Sequence, residues 1–411
     1  MRALLALCMV ACQPLDPDAT LEASTCDGCH PDQVREWAGS MHAYASEDPV
    51  FVAMNRLGQR ETGGQLGTFC VRCHAPFAES ADIEEVPRER RGVGCVACHQ
   101  VTAVEATHNG ELRWDREGPM RGALHAPIET PAHESRYSEL LDADRPASSQ
   151  VCGGCHDVVL PNGLAIENTY AEWSTSVFAD TLSCAGCHMF PAGPRRHDHS
   201  FPGIDVATSP WPGVAEQRQL IARDLRPALV TKLCVQPTGG GVEVDITLDN
   251  SQVGHAFPSG TTHARRLWVE LVAQTGGIVT QSIGTFERNA VVHAAQSPDV
   301  WILGSRFLRG DEEVQFVWEA DAIASELLLP TVTLDPAVPG YYHARTRSFR
   351  LLGRPEVIQM SLHEQPIGID ILQDLVATGD LDPRVIEAAT THTLDGAALE
   401  WRSASGFGCV P

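Results

Sequence analysis

Ten of the 14 cysteines in this 411-residue chain share one spacing. It occurs as Cys26-Asp27-Gly28-Cys29-His30, Cys70-Val71-Arg72-Cys73-His74 and Cys95-Val96-Ala97-Cys98-His99, then as Cys152-Gly153-Gly154-Cys155-His156 and Cys184-Ala185-Gly186-Cys187-His188. Two thiols two residues apart reach the two vinyl groups of one porphyrin as thioethers. The imidazole that follows comes up beneath the iron as an axial ligand, so C-x-x-C-H reads as an attachment motif for c-type haem. Chance supplies on the order of 0.02 such motifs in a chain of this composition, so five copies leave no room for accident. A thioredoxin-like redox pair needs neither five copies nor a trailing His, and zinc knuckles place their His at variable distances. The expected cofactor is five covalently attached haem c. Cys26, Cys29, Cys70, Cys73, Cys95, Cys98, Cys152, Cys155, Cys184 and Cys187 would hold them, with His30, His74, His99, His156 and His188 as proximal ligands.

Each iron also needs a ligand on its far side or an open position. The chain has 17 His, and six outside the motifs lie in or just after the motif region: His42, His108, His125, His133, His197 and His199. Bis-His ligation is therefore the expectation for most irons, with lower potentials than His/Met. His42 leads, in the helix-compatible stretch Trp37-Ala38-Gly39-Ser40-Met41-His42. His125 and His133 follow in a Pro-rich stretch, and of His197 and His199 one is expected to ligate. His108 precedes the turn signal Asn109-Gly110 and reads as exposed. Met41, Met54 and Met120 are further candidate axial ligands, although such Met more often packs, and Met189, directly after a proximal His, is expected to point away from that iron. Trp37-x-x-Ser40-x-His42 is echoed by Trp173-x-x-Ser176-x-Phe178 after the fourth motif, with Phe where the first copy has His. Either another His serves that iron or one haem is five-coordinate.

The motifs span Cys26 to His188. That leaves roughly 35 residues per haem, too few to enclose each in its own protein core. The haems must form much of the core themselves and lie close together, as a wire or a multi-electron reservoir.

The elements beyond them differ. Val214 to Lys232 has helix-like spacing. Val242, Val244, Ile246 and Leu248 alternate with polar residues, the period of a half-buried strand. Stretches 267–272, 277–286, 313–318 and 341–349 also read as strands, a pattern that suggests a β-sandwich. Stretch 356–393 reads as more helical. Gly254-His255-Ala256-Phe257-Pro258-Ser259-Gly260 has the Gly and Pro of a tight loop, and His255 is a further candidate distal ligand. Cys234 and Cys409 bracket the second half and are expected to form a disulfide. The resulting fold class is α+β multidomain. Residues 1–11 form a signal peptide, 12–25 a linker and 26–205 a mostly helical or irregular pentahaem domain. A helical connector (206–232), a sandwich-like β-rich domain (233–352) and a helical C-terminal extension (353–411) complete the chain.

The amino terminus reads as an export signal of the lipoprotein type. Arg2 precedes a short apolar run, and Met9-Val10-Ala11-Cys12 resembles a lipobox with Cys12 as the lipidated residue. No later segment has about 18 uninterrupted apolar residues, so membrane contact is expected only through that lipid. The formal charge of −23 argues against nucleic acid as a partner and favours basic redox proteins.

With Cys26–His30 and its Trp37–His42 sequel, Gly92-Val93-Gly94 before Cys95, Cys152 to Pro161, Thr169–Trp173 and Cys184–Met189, the sequence resembles the cytochrome c-554 family over roughly residues 26–205. The 254–260 loop is similar to a signature in the β-rich C-terminal parts of some multihaem cytochromes. The family resemblance implies a mostly helical haem domain with stacked haem pairs, mainly bis-His irons and an electron-transfer role, with one high-spin haem in some members. The namesake has four haems and this chain five motifs. Pentahaem nitrite reductases carry Cys-x-x-Cys-Lys at the active haem, and all five motifs here end in His. The expectation is an envelope electron carrier, with other subunits possible. The alternative is a multihaem oxidoreductase acting on a small nitrogen or sulfur compound at one five-coordinate haem.

Overall fold

A computed structural model describes residues 15–410 except 129, 194, 195, 339 and 342. Residues 1–11, read as a signal segment, and Cys12, read as a lipidation site, lie outside the described residues. The chain divides into two compact units. The first comprises Met1–Val158, Asp180–Gly203 and Ser209–Gln217; the second comprises Val159–Ala179, Ile204–Thr208 and Arg218–Pro411. No described helix is long and apolar enough to cross a membrane.

Short helices joined by irregular chain make up the first unit. Its longest, Pro49–Glu61, starts with Pro at the first helical position, and the Asp48 carboxylate caps it by accepting from Val50 N at 3.1 Å. Phe51 on this helix packs with Val71, Ala75, Ile83 and Val86 around the second motif. The motifs lie at or within helical turns, including Val71–His74, Cys95–His99, Ser149–His156 and Cys184–His188. His30 N donates to Cys26 O at 2.9 Å, and His74 N to Cys70 O at 3.4 Å. One turn of helix therefore puts the first Cys and the His of a motif on the same side. A parallel pairing of Met120–Gly122 with Ser135–Tyr137 organises the stretch that carries His125 and His133.

The second unit is built on two sheets. One has the order Ala344–Leu352, Gly241–Asp249, Val230–Pro237, Gly408–Val410. The other runs Glu312–Val314, Ile302–Arg309, Arg266–Thr275, Val357–Gln365, His392–Thr393, and Ile278–Ile283, Ala322–Glu326 and Leu399–Arg402 pair beside it. The alternation read at 242–248 is borne out, with Val242, Val244, Ile246 and Leu248 buried. Chain class is mixed α and β, as expected.

Several boundaries are corrected. The helix expected to reach Lys232 is Val214–Leu225, and the strand Val230–Pro237 follows it. Stretch 313–318 is the end of the strand Glu312–Val314 followed by a 3-10 turn at Val317–Glu319. The C-terminal stretch from 353 is not a helical extension. It opens with the strand Val357–Gln365, paired along its length with Arg266–Thr275, and the helices Ile369–Ala377 and Arg384–Ala388 come after it. Alternation is present there, since Ile358, Met360, Leu362 and Glu364 are buried. A carboxylate in the series hid the pattern.

Residues 159–179, read as haem domain, join the second unit. Val177 N donates to Thr331 O at 2.8 Å and Asn162 Nδ2 to Ala320 O at 3.1 Å. The Glu172 carboxylate accepts from Ala256 N at 3.0 Å and from Ser259 Oγ at 2.7 Å, clamping the 254–260 loop. Trp173 and Phe178 flank Gly254, where a Cβ would stand 3.4 Å from Trp173.

Buried ions accompany the sheets. Arg265 grips Asp205 with both guanidinium nitrogens, at 2.6 and 2.8 Å. Glu364 is 2% exposed, and its Oε2 has no hydrogen-bond partner. Burial raises the Glu364 carboxyl from 4.5 to about 7, helped by the Asp205 charge and opposed by Arg265. Folded protein thus holds a proton there that the unfolded chain has already lost, and stability falls as pH rises from about 5 through 7. Glu364→Gln should remove that part of the decline, read as a flatter profile of Tm against pH than the parent protein gives. Cys234 and Cys409 are bonded, as expected, and tie the terminal strand to its neighbour across 175 residues. Replacing both by Ser should cost roughly 2–4 kcal/mol in denaturant unfolding.

Candidate metal centres

Among the described residues of the first unit, three pairs of imidazoles face one another. Ring centroids are 6.3 Å apart for His30 and His133, 6.2 Å for His42 and His156, and 6.3 Å for His99 and His199. Two imidazole nitrogens each about 2 Å from one metal atom put the ring centroids roughly 6 Å apart. The spacing thus leaves room for a single ion between each pair. Each pair joins a motif His to one of the candidate distal ligands. His42, read as a sequel to the first motif, faces the His of the fourth. His133 faces the first motif and His199 the third.

Backbone carbonyls set the tautomers. His74 Nδ1 lies 2.9 Å from Ala45 O, His99 Nδ1 2.6 Å from Arg121 O and His188 Nδ1 2.8 Å from Pro202 O. On the distal side, His199 Nδ1 lies 2.9 Å from His197 O; His133 Nδ1 lies 3.1 Å from Ser135 Oγ, which can donate to it, and 3.3 Å from Glu134 O, so no carbonyl alone fixes its tautomer. Beside the other rings the carbonyl only accepts, so Nδ1 must carry the proton, and Nε2 is left as the metal-binding nitrogen. Burial also favours neutral rings: it lowers His42 to about 3 and His199 to about 4.

Two further candidates share this tautomer. His197 Nδ1 lies 2.7 Å from Met189 O, and His255, in the second unit, has Nδ1 2.9 Å from Ala256 O. His125 is exposed and stacks on Tyr137 at 3.9 Å. His108 is exposed, as read. His74 stacks flat on Phe51, centroids 3.9 Å apart.

The thiols meet across motifs. Cys26 hydrogen-bonds Cys95, and Cys152 hydrogen-bonds Cys184. The contact pulls Cys26 and Cys184 each down to about 7 and raises their partners. Burial pushes Cys70 and Cys98 up to about 11. The first and third motifs are therefore neighbours, as are the fourth and fifth.

The residues around His42 explain its sequence context. Ser40 caps the Met41–Tyr44 turn. Trp37 Nε1 donates to Val93 O at 2.7 Å, and Val93 N donates to His42 O at 2.9 Å. Gly92 has φ +70°, and a Cβ there would fall 2.8 Å from Ala43 O. The Trp37–His42 and Gly92–Gly94 segments thus form one support for His42. The same local turn recurs at Trp173–Ser176, where Ser176 N donates to Trp173 O at 2.9 Å as Ser40 N does to Trp37 O at 2.8 Å. Phe178 sits in the packing of the second unit, and the fourth-motif His156 is faced by His42 instead.

Sequence reasoning missed the supporting shell. Glu36 is buried; it accepts from Arg196 Nη1 at 2.5 Å and from His199 N at 3.1 Å. Phe201 touches both His42 and His199. A carboxylate and a phenyl ring have no spacing signature, and Glu36 lies 163 residues from the amide it holds.

The ring planes differ: 29° for His30 and His133, 22° for His99 and His199, 72° for His42 and His156. Near-parallel imidazoles act on the same iron dπ orbital and split the pair, whereas near-perpendicular ones leave the pair close in energy. Low-spin paramagnetic resonance should therefore give two ordinary rhombic signals and one with an unusually large principal g value, and the last should vanish in His42→Ala.

Residues 25–100 match the family model described as cytochrome c554 and c-prime, which takes in the first three motifs. No curated protein matches the chain significantly. Among solved structures, a penta-heme cytochrome c552 from Thermochromatium tepidum has the same fold. Its TM-score is 0.69 at 19% identity, covering 94% of this chain and 100% of that one. Residues 25–100 are thus similar to that cytochrome family, and the fold is similar to that of the penta-heme protein.

Proposed function

We propose that this chain carries electrons between redox proteins of the cell envelope through five closely packed haem c groups. The observation that carries the reading is the set of three imidazole pairs at 6.2–6.3 Å. Each of the five motifs would hold one haem by its two thiols and its His. The similarity in fold to a protein described as penta-heme agrees with that count. Haem c, when bound, supplies an iron that takes up and releases one electron. The residues of this chain do the rest. His30 and His133, His42 and His156, and His99 and His199 would each supply two imidazoles to hold one of three haem irons. Saturated ligation changes little on electron uptake and leaves no position for substrate at those sites. His197 is the proposed distal ligand of a further iron, because a carbonyl holds its Nδ1 proton. The Cys26–Cys95 and Cys152–Cys184 contacts favour neighbouring haems at those motifs, which supports fast transfer between them.

Export and a lipid on Cys12 would hold the protein at the envelope, and the charge of −23 favours basic partners. Intact mass of the exported protein should exceed the polypeptide by five haem increments, and a reductive titration should consume five electrons. Optical spectra should stay unchanged on adding nitrite, hydroxylamine or carbon monoxide. A high-spin band that shifts with one of them would instead favour the oxidoreductase.

A further inference from the structure

Four consecutive residues touch three of the five motif sites. His199 faces His99 of the third motif, centroids 6.3 Å apart. Phe201 packs edge-on against His42, which faces His156 of the fourth, at 4.5 Å and 79°. The same ring meets His199 at 5.7 Å and 83°. Pro202 O receives Nδ1 of His188, the proximal ligand of the fifth motif, at 2.8 Å. Both Phe201 contacts have the edge-to-face geometry that aromatic rings prefer.

The segment is pinned where it enters. Glu36 accepts from Arg196 Nη1 at 2.5 Å and from His199 N at 3.1 Å, and Ser200 N donates to Asp198 Oδ1 at 2.6 Å. Phe201 has φ +45°. That left-handed backbone is costly for a bulky side chain and persists only where surrounding contacts over-determine it. Its ring then lies against two imidazoles on separate elements.

We infer that the His199–Pro202 segment is a shared positioning element for three haem sites, with Phe201 as the residue that locks the orientation of His42 to that of His199. The inference rests on the proposed ligation of the third and fourth motifs. An imidazole turning about its metal bond is resisted by the Phe201 edge. Any rotation of one distal ring is therefore felt by the other. Among the described residues, the Phe201 ring lies against His42 and His199 and not against His30 or His133, whose pair serves as the internal reference.

The test is Phe201→Leu in the full haem-loaded protein, read by low-spin paramagnetic resonance and redox titration of the resolved signals. Signals are assigned by the loss each suffers in His42→Ala, His133→Ala and His199→Ala. Two signals, those of the His42 and His199 sites, should shift in both g values and midpoint potential, while the His133 signal stays in place. Phe201→Tyr, which keeps the ring, should restore both. A shift confined to one signal, a shift of all three, or none would overturn the inference. If Phe201→Leu fails to accumulate, Glu36→Gln provides a second route: it withdraws the charge from Arg196 and should move the same two signals. Movement of the His199 signal alone in that variant would equally overturn the coupling. Intact mass reports haem content separately. Loss of the five-haem increment in the parent protein would count against the proposed function, whereas a full haem complement with unmoved signals counts against this inference only.

Discussion

A backbone carbonyl has no proton to give, and on that fact the ligand chemistry of this chain depends. Wherever a carbonyl stands beside Nδ1 of a histidine, the ring must protonate there and present Nε2 to the metal. Ala45, Arg121, Pro202 and His197 supply such carbonyls to His74, His99, His188 and His199. Each carbonyl belongs to a segment placed by its own contacts, so the first unit folds around where its carbonyls must be. Short helices and irregular chain suit this task. A long helix consumes its carbonyls in its own ladder, whereas loops and frayed turns leave them free to accept from side chains.

The same economy explains how the first unit is held without a large conventional core. Trp37, Ser40 and Gly92 bind one backbone stretch to another beside His42. Glu36 ties the helix after the first motif to the strand before His199. Such links fix positions to the precision that ligation requires. They contribute modestly to stability one at a time, about 1 kcal/mol each. Haem burial would then supply the bulk of the apolar contact that packed side chains give elsewhere.

The second unit solves a different problem. Its sheets bury alternate aliphatic residues in the usual way, yet Arg265, Arg266, Glu364 and Asp370 are drawn in with them. Arg265 and Arg266 each meet a carboxylate, which is what a buried guanidinium requires. Glu364 meets burial by holding its proton more tightly. The clamp from Glu172 onto the 254–260 loop gives this unit a helix that the sequence places among the haem motifs, and it explains why the Trp173 turn repeats the Trp37 turn without repeating its histidine.

Local features were legible in the sequence, and distant ones were not. The five motifs and the alternation at 242–248 each depend on residues within a turn or a strand of one another. The strand Val357–Gln365 was hidden because its alternation includes Glu364, whose polarity argues for exposure until its surroundings are known. His125 and His133 were equal candidates by spacing, and only the fold stacks one on Tyr137 and sets the other opposite His30. Phe201 carried no signal, because a phenyl ring acts by whatever it is packed against. Sequence alone determined where the five motifs lie, since each is set within one helical turn. Tertiary structure alone decided which imidazole faces which motif, since each of the three partners lies a hundred residues or more along the chain and only the closing of those loops brings the rings face to face.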